Sequence, residues 1–259
     1  MLAAVAAAVA LVGCGTDTPA AAPGSPTLDR VAATKELRVC STGDYRPLTY
    51  RAADGRWSGS DVDMANDLAA RLGARTTMVP VTWSSMLGDV VAGRCDIAVG
   101  GVSVTADRAA QATFTVPYLD DGKTPIVRCA DLARFATVEQ IDRPGVRVVV
   151  NPGGTNERFA RSRLQAATIV PYPDNNTIHD TVADGRTDLM ITDAIEARWQ
   201  AAQRPGVLCA EHPDAPFDSS QKAYLIPRGD PAFVDRVNGW LSTARTDGTW
   251  DRFATPWIG

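Results

Sequence analysis

The feature that most constrains the fold of this chain is a regular alternation of short apolar runs with amphipathic helical patterns. In the first series, residues 37–42, 76–81 and 96–100 have the pattern of strands, and residues 62–72 and 85–92 have the spacing of helices. This β-α-β-α-β order predicts parallel strands, because parallel neighbours need a crossover connection, which is right-handed in nearly all proteins.

A second series of the same kind follows the first. Strands are predicted at residues 124–128, 147–151, 167–171 and 188–192. Helices are predicted at residues 155–164, 176–183 and 193–203. Residues 221–227 then have the pattern of a returning strand, and residues 231–243 that of an amphipathic closing helix. Two α/β units of similar size, with the chain returning to the first, predict two lobes.

We therefore expect an α/β fold of two lobes, each a mainly parallel sheet flanked by helices, with a ligand cleft between them. Residues 35–118 and 222–259 are assigned to lobe 1, and residues 119–221 to lobe 2. Ligands of open α/β sheets bind outside the carboxyl ends of the strands. The residues that directly follow the predicted strands are therefore the candidates for a binding site.

The N-terminus has the pattern of an export signal. Residues 1–13 are apolar and uncharged, too short to span a bilayer, and typical of the core of a signal peptide. Residues 11–14 (LVGC) match a lipobox, which predicts cleavage before Cys14 and lipidation of its thiol; an ordinary cleaved signal peptide is the alternative. Residues 14–34 are expected to carry the lipid and form a flexible tether. Either signal predicts a periplasmic or other extracytoplasmic protein.

Composition excludes some classes of function. The formal net charge of −4 and the lack of a basic patch argue against a nucleic-acid partner. Two histidines and no CxxC pair argue against a zinc site. An oxidising compartment permits disulfides. Cys129 and Cys209 both fall in lobe 2 and are predicted to pair. Cys40 and Cys95 are predicted on adjacent strands but out of step, and they are expected to stay unpaired.

The segment after the third predicted strand can bind a carboxylate. Gly100 and Gly101 let a ligand approach the backbone, and Ser103 offers a hydroxyl group. Arg108 offers a planar guanidinium group suited to a carboxylate. The alternative for Arg108 is a position on a solvated helix, which its place just beyond the strand-end glycines makes the weaker interpretation.

Residues 151–157 (NPGGTNE) follow a strand and open a helix. The free N–H groups of a helix start favour an anion, and Thr155 can both cap the helix and contact a ligand. Gly154 and Asn156 flank Thr155 and are counted with it as candidate binding residues. A capped helix without a ligand is the alternative.

The most specific candidate is an acid pair, Asp193 and Glu196, at the end of another apolar strand. A carboxyl group in a cleft with a nearby arginine can donate a proton as well as bind. The alternative for this pair is a capping box, in which both acids only satisfy free N–H groups at the helix start. Lys123 by itself would most often be a surface residue, and Trp83 a core residue. Tyr45 fits a ligand-facing aromatic residue and an ordinary loop residue equally well.

Segments such as GGVSVTADR and NPGGTNERF resemble the type II periplasmic solute-binding proteins, in particular the polar-amino-acid-binding family, over residues 35–256. In that family, the arginine matching Arg108 binds the ligand α-carboxylate, and the residue matching Thr155 assists it. The aspartate matching Asp193 takes the α-amino group, and the aromatic residue matching Tyr45 stacks on the ligand.

Longer segments, including YLDDGKTPIVRCADL and DLMITDAIEA, are similar to an enzymatic branch, the periplasmic cyclohexadienyl dehydratases. The resemblance implies conversion of prephenate to phenylpyruvate and of L-arogenate to L-phenylalanine, without a metal or organic cofactor. It also implies that Glu196 is the general acid, with electrostatic support from Lys123. Residues that shape the pocket are implied at Asp44, Trp83, Gly154 and Ile178.

General-acid chemistry requires Glu196 to be protonated near neutral pH, so we expect burial and nearby carboxylates to raise its pKa. The partners expected are the small-molecule substrate and, through Cys14, the membrane, with no obligate protein partner. The alternative function is that of an amino-acid-binding lipoprotein of an ABC importer, which would hold its ligand unchanged.

Overall fold

The computed structural model describes residues 24–258. The predicted signal peptide (residues 1–13), Cys14 and most of the proposed tether therefore lie outside the described residues. Between residues 24 and 258, no helix combines the length and apolar character needed to cross a membrane.

Helices and strands alternate along the chain, as the sequence predicts. The strands are β1 Glu36–Ser41, β2 Asp44–Tyr45, β3 Thr49–Arg51, β4 Trp57–Ser58, β5 Arg75–Pro80, β6 Ile97–Ala98, β7 Thr113–Phe114, β8 Leu119–Asp121, β9 Lys123–Arg128, β10 Arg147–Val150, β11 Thr168–Pro171, β12 Leu189–Asp193, β13 Leu208–Ala210, β14 Ser220–Lys222 and β15 Leu225–Ile226. The α-helices are α1 Pro26–Thr34, α2 Ser60–Arg71, α3 Met86–Val91, α4 Ala106–Ala109, α5 Val138–Ile141, α6 Thr155–Arg163, α7 Ile178–Ala183, α8 Ala194–Gln203, α9 Pro231–Thr246 and α10 Thr249–Ile258.

Two five-stranded sheets form the centres of the two lobes, with the orders β5-β1-β6-β15-β7 and β11-β10-β12-β9-β13. In each sheet the first three strands are parallel. The fourth strand, β15 or β9, is antiparallel to both of its neighbours. Four of five strands in each sheet therefore share one direction, and the predicted two-lobed fold with mainly parallel sheets is confirmed.

The chain passes between the sheets twice, because β7 and β15 belong to the first sheet while β9 and β13 belong to the second. Strands β8 and β14 lie in these two connections and pair with each other. The predicted lobe boundaries, at residues 118/119 and 221/222, fall within the same connections. The carboxyl ends of β1, β6, β10 and β12 consequently face one cleft.

Each lobe has its own apolar core. In the first, the sheet packs against α2 and α9 through buried residues such as Leu37, Met64 and Phe233. In the second, Val148, Val150 and neighbouring side chains pack on one face of the sheet, and a separate cluster covers the other face. A small apolar cluster formed by Tyr45, Leu48 and Ile195 joins the two lobes.

The prediction of a flexible tether through residue 34 is wrong for its last part, because α1 occupies Pro26–Thr34. Ser25 caps this helix by accepting from the N–H of Leu28, and Pro26 stands at its first position, where proline costs no hydrogen bond. Val31 is buried in the first-lobe core. The residues before this helix are rich in glycine and proline, and the prediction of a tether extended that composition across the capping residues.

Other elements also differ from the expectation. Tyr45 lies within a small antiparallel sheet, β2-β3-β4, and not in a loop after a strand. The predicted returning strand at residues 221–227 is two short strands, β14 and β15, in different sheets. The terminal helix α10, which the sequence pattern did not predict, packs on α2 and α9.

Both pairs of cysteines form disulfides. The predicted bond between Cys129 and Cys209 is present, with a Cα–Cα distance of 4.9 Å. The expectation that Cys40 and Cys95 stay unpaired is wrong, since they are bonded with a Cα–Cα distance of 5.6 Å. Cys95 lies before β6, outside the paired part of the strand, so strand register does not determine its distance from Cys40.

Replacing Cys40 and Cys95 together with alanine should lower the free energy of unfolding. The bond closes a sequence separation of 55 residues, for which the chain-entropy model gives about 4 kcal/mol. Urea unfolding of the oxidised wild type and the double variant measures the difference. Peptide mapping without reduction should recover Cys40 linked to Cys95, and any exchanged pairing would contradict the structure.

Candidate active site in the cleft between the lobes

A cavity between the lobes is lined by residues from the ends of both sheets. Its lining consists of Tyr45, Trp83, Gly101, Asn151, Gly154, Thr155, Asn156, Asn175 and Asp193. Six of the predicted site residues are among these: Tyr45, Trp83, Gly154, Thr155, Asn156 and Asp193. Gly101 has a φ of +71°, and a Cβ there would lie 2.6 Å from the Tyr45 ring, so glycine permits this close packing.

Asp193 is the centre of the charged part of the site. Its Oδ1 atom lies 2.7 Å from Nζ of Lys123, and its Oδ2 atom lies 2.7 Å from Nζ of Lys222. The hydroxyl of Tyr45 also donates to Oδ2, at 2.5 Å. Burial alone would raise the pKa of Asp193, but the two ammonium groups hold it well below its usual range.

The capping-box interpretation of Asp193 and Glu196 is wrong. Asp193 is the N-cap residue of α8, but its side chain makes no capping hydrogen bond. Its oxygens are instead turned to the lysines, and the Glu196 side chain bonds to Thr192 and Asn175. Both acids lie at the start of α8, but their side chains do not serve to cap it.

Lys123 is buried and not a surface residue. It lies on β9 directly opposite Asp193 on β12. Its Nζ donates to Thr155 at 2.9 Å, to Asn156 at 2.5 Å and to Asp193 at 2.7 Å, which uses all three of its N–H groups. Burial lowers the pKa of Lys123, and Asp193 opposes that shift.

Lys123 is connected to Glu196 only through the side chains of Asn156 and Thr192. The Asn156 amide accepts from Lys123 and donates to the Thr192 hydroxyl at 3.0 Å. Thr192 in turn donates to Glu196. A hydrogen-bond chain therefore connects Lys123 to Glu196, and the two side chains are not in direct contact.

Glu196 is fully buried at the start of α8. Desolvation raises its pKa to about 8; the bond from Thr192 opposes the shift, and the charges of Asp193 and Asp44 add to it. The sequence predicted a raised pKa for these reasons. Glu196 does not line the cavity itself, but its Oε1 accepts from Nδ2 of Asn175, which does, at 3.2 Å. Nε2 of the buried His179 lies 4.0 Å from the same oxygen, and burial lowers the pKa of that histidine to about 3.

Arg108 is 5% exposed and donates from Nη1 to the carbonyl oxygen of Ser103 at 2.9 Å. It therefore does not lie on a solvated helix. Burial lowers its pKa to about 10, so the guanidinium group stays charged at neutral pH. Ser103 reaches toward the second lobe, where its hydroxyl lies 3.5 Å from that of Thr155.

Two residues predicted to shape the pocket are placed differently. Asp44 accepts from Nε1 of Trp83 at 3.1 Å and is not part of the cavity lining, and burial raises the pKa of Asp44. Ile178 is fully buried in the second-lobe core with Val149 and Met190, and it is not part of the cavity lining.

Lys222 and Asn175 belong to the site but are not among the residues predicted from the sequence. Lys222 is fully buried at the end of β14, and its Nζ donates to the Ser103 hydroxyl at 2.8 Å as well as to Asp193. Lys222 lies where the chain returns from the second lobe to the first, and this position could have identified it as a candidate from the sequence. Asn175 follows β11, and the rule that ligands bind beyond strand ends would have selected it.

Buried lysine and arginine side chains, and a buried carboxyl group with a raised pKa, surround the residues that line the cavity. Such a site can bind an anionic ligand and transfer a proton to it. Within residues 24–258, no group of three or more His, Cys, Asp or Glu side chains is placed to hold a metal ion.

Comparison with known proteins agrees with this architecture. Residues 37–259 match the family described as bacterial extracellular solute-binding proteins, family 3. The chain is 50% identical over 231 residues to a cyclohexadienyl dehydratase of Pseudomonas aeruginosa, an alignment that covers 89% of this chain and 85% of the relative. It is 25% identical over 232 residues to an L-cystine-binding protein of Escherichia coli, covering 90% of this chain and 86% of the relative.

Solved structures show the same two-lobed fold. An ancestral amino-acid-binding protein, described as a precursor of cyclohexadienyl dehydratase, superposes with a TM-score of 0.83 at 30% identity, covering 90% of this chain and 100% of the other. An ancestral cyclohexadienyl dehydratase superposes with a TM-score of 0.58 at 45% identity, covering 92% and 98%. The chain therefore belongs to the bacterial extracellular solute-binding proteins, family 3, and within that family it is similar over most of its length to a cyclohexadienyl dehydratase.

Proposed function

We propose that this protein is an exported cyclohexadienyl dehydratase that converts prephenate to phenylpyruvate and L-arogenate to L-phenylalanine, with Glu196 as the general acid. The observation that carries the proposal is the buried Glu196 carboxyl group with its pKa raised to about 8, beside a cleft rich in cationic groups. The 50% identity to a cyclohexadienyl dehydratase supports the same activity.

The proposed reaction balances with a single proton from Glu196. The C4 hydroxyl of the substrate takes this proton and leaves as water. The electron pair of the bond to the ring carboxylate moves into the ring, which releases CO2 and makes the ring aromatic. Hydroxide is a poor leaving group, and a positioned general acid commonly contributes ~10²–10⁴-fold to such a step.

The cleft supplies the remaining requirements of this reaction. Arg108 and the helix start at Thr155 hold the substrate carboxylate that is retained. The Trp83 ring offers an apolar surface to the carboxylate that leaves, since loss of charge is favoured away from water. Residues 35–118 with 222–259, and residues 119–221, act as the two closing lobes, which exclude solvent and align the reacting groups.

The alternative is a binding protein that holds an amino acid unchanged, as the similarity to the L-cystine-binding protein allows. Purified protein incubated with prephenate separates the two functions. We expect phenylpyruvate to form at a rate proportional to the protein concentration. Absence of product, together with tight binding of an amino acid, would replace the enzymatic proposal by the transport function.

The contacts of Asp193 predict that prephenate is a better substrate than L-arogenate. An α-ammonium group would have to compete for Asp193 with Lys123, Lys222 and Tyr45, whereas the keto group of prephenate needs no such acceptor. Lys222→Met removes one of the two cations from Asp193 and leaves its Oδ2 atom with the Tyr45 hydroxyl as partner. It should lower the ratio of kcat/KM for prephenate to that for L-arogenate by about tenfold or more, the value of one charge-assisted hydrogen bond.

Lys222→Arg is the matched control for this ratio, because it keeps a cation beside Asp193. Its ratio should stay closer to the wild-type value than that of Lys222→Met. A wild-type enzyme that turns over L-arogenate with the higher kcat/KM would contradict the predicted preference.

Membership of this family implies an exported protein. We further propose that Cys14 is lipidated and that the chain is anchored to the membrane by that lipid. The full-length wild type should partition into detergent on phase separation and carry the mass of a diacylglyceryl group at Cys14. Cys14→Ser should remain in the aqueous phase, and a wild type cleaved elsewhere without a lipid would overturn the proposal.

A further inference from the structure

We infer that Asn175 is a further catalytic residue, whose amide oxygen accepts the hydrogen of the departing hydroxyl and turns that oxygen toward Glu196. This inference rests on the proposed dehydratase activity. Glu196 lies behind the cavity wall, whereas Asn175 forms part of that wall and contacts Glu196.

The Asn175 amide connects three parts of the molecule. Its Nδ2 atom donates to the backbone carbonyl oxygen of Asp44 at 2.8 Å and to Oε1 of Glu196 at 3.2 Å. The residue is only 2% exposed, yet it lines the cavity. Its side chain is therefore held from two sides and has one face left for a ligand.

The contact with Asp44 determines which end of the amide faces the cavity. A backbone carbonyl oxygen can only accept a hydrogen bond, so the NH2 group of Asn175 must point toward Asp44. The oxygen Oδ1 then points elsewhere, and among residues 24–258 no group donates to it. A buried carbonyl oxygen without a donor is unfavourable, and a ligand donor in the cavity would satisfy it.

The substrate offers one suitable donor at the reacting carbon, the C4 hydroxyl. When this hydroxyl donates its hydrogen to Oδ1 of Asn175, the lone pairs of the hydroxyl oxygen are free to face the Glu196 carboxyl group. The departing water then contains the original hydroxyl hydrogen and the proton from Glu196, and Glu196 is left as a carboxylate. The Nδ2 group of Asn175 already donates to that carboxylate, so it stabilises the charge that develops.

The same residue couples catalysis to lobe closure. Asp44 follows β1 of the first sheet, and Asn175 follows β11 of the second, so their hydrogen bond spans the cleft. The bond can form only when the lobes are shut. Asn175 therefore reaches its catalytic orientation at the moment when solvent is excluded.

The first test compares Asn175→Ala with Asn176→Ala. Asn176 is a matched control, since it is the adjacent asparagine and also contacts the opposite lobe, at Arg46, but does not line the cavity. We expect Asn175→Ala to lower kcat for prephenate on the order of 10²-fold, as misplacement of a reacting group commonly does. Asn176→Ala should keep near-normal kcat. Equal, near-normal rates in both variants would overturn the inference.

A binding measurement separates this role from a general structural one. In a Glu196→Gln background, which prevents turnover, Asn175→Ala should weaken the binding of prephenate but not that of phenylpyruvate, because the product has no ring hydroxyl. Calorimetry gives both dissociation constants. Equal weakening for the two ligands would show that Asn175 acts on the fold of the cleft and not on the hydroxyl.

A second variant keeps the test usable if Asn175→Ala folds poorly. Asn175→Asp has nearly the same shape but places a negative charge beside Glu196, which should move the alkaline limb of the kcat profile to higher pH. An unmoved limb would count against the contact with Glu196. A wild type that turns over neither substrate would refute the proposed function itself, whereas an active wild type with unaffected Asn175 variants would refute only this inference.

Discussion

Glu196→Gln is expected to keep substrate binding and lose ~10²–10⁴-fold in kcat, because the amide fits the same site but has no proton to transfer. The buried carboxyl contacts Thr192 and Asn175, and the amide can retain hydrogen bonds to both. Phenylpyruvate formation measures kcat, and calorimetry with prephenate measures binding. Glu139→Gln, the same change on an exposed part of α5, is the control and should leave both unchanged.

The pH dependence of kcat provides an independent measure of the same group. In the proposed mechanism Glu196 acts in its protonated form, and its pKa is raised to about 8. The rate constant should therefore be level below pH 8 and fall about tenfold per pH unit above it. This limb should disappear from the residual activity of Glu196→Gln. A near-normal rate in the variant, or an unchanged limb, would remove Glu196 from the mechanism.

The same pKa shift affects stability. The native protein retains the Glu196 proton between the ordinary pKa of 4.5 and about 8, whereas the unfolded chain releases it. The unfolded state thus binds fewer protons in this range, so this residue makes the free energy of unfolding fall as pH rises. Glu196→Gln should flatten that part of the stability profile, as urea unfolding at several pH values would reveal.

Asp193→Asn is expected to destabilise the protein by about 3–5 kcal/mol, because removing one partner of a buried ion pair leaves uncompensated charge. Lys123 and Lys222 are at most 3% exposed and share Asp193 as their carboxylate partner. Loss of that carboxylate would leave two ammonium groups close together in the closed cleft. Urea unfolding at neutral pH measures the change in the free energy of unfolding.

A double variant tests the physical reason for this loss. Asp193→Asn combined with Lys222→Met removes one of the two stranded charges, so it should be more stable than Asp193→Asn alone. Asp218, which accepts from the backbone N–H of Lys123 but is not in the ion-pair cluster, gives a control variant, Asp218→Asn, with a smaller expected cost. A double variant no more stable than the single one would contradict the charge argument.

Much of the fold is readable from local sequence patterns. The apolar run at residues 147–150 and the helix that follows Thr155 lie where periodicity predicts them. The same holds for the strand that ends at Asp193. Strand ends in such a fold point to the cleft, so Thr155 and Asp193, which line the cavity, could be selected as candidate site residues before any contact was known.

Contacts between distant parts of the chain could not be predicted in this way. Lys222 reaches Ser103 across a sequence separation of 119, and Asn175 reaches Asp44 across 131. The bond between Cys40 and Cys95 likewise depends on where the turn before β6 places one thiol.

The sequence alone thus determined the α/β alternation, the two lobes and the strand ends that meet at the cleft, because periodicity and capping are properties of neighbouring residues. Tertiary structure alone decided which buried charges pair around Asp193 and how Glu196 is connected to the cavity. The reason is that desolvation and charge pairing depend on distances of a few ångströms between residues far apart in the chain, and only the packed lobes set those distances.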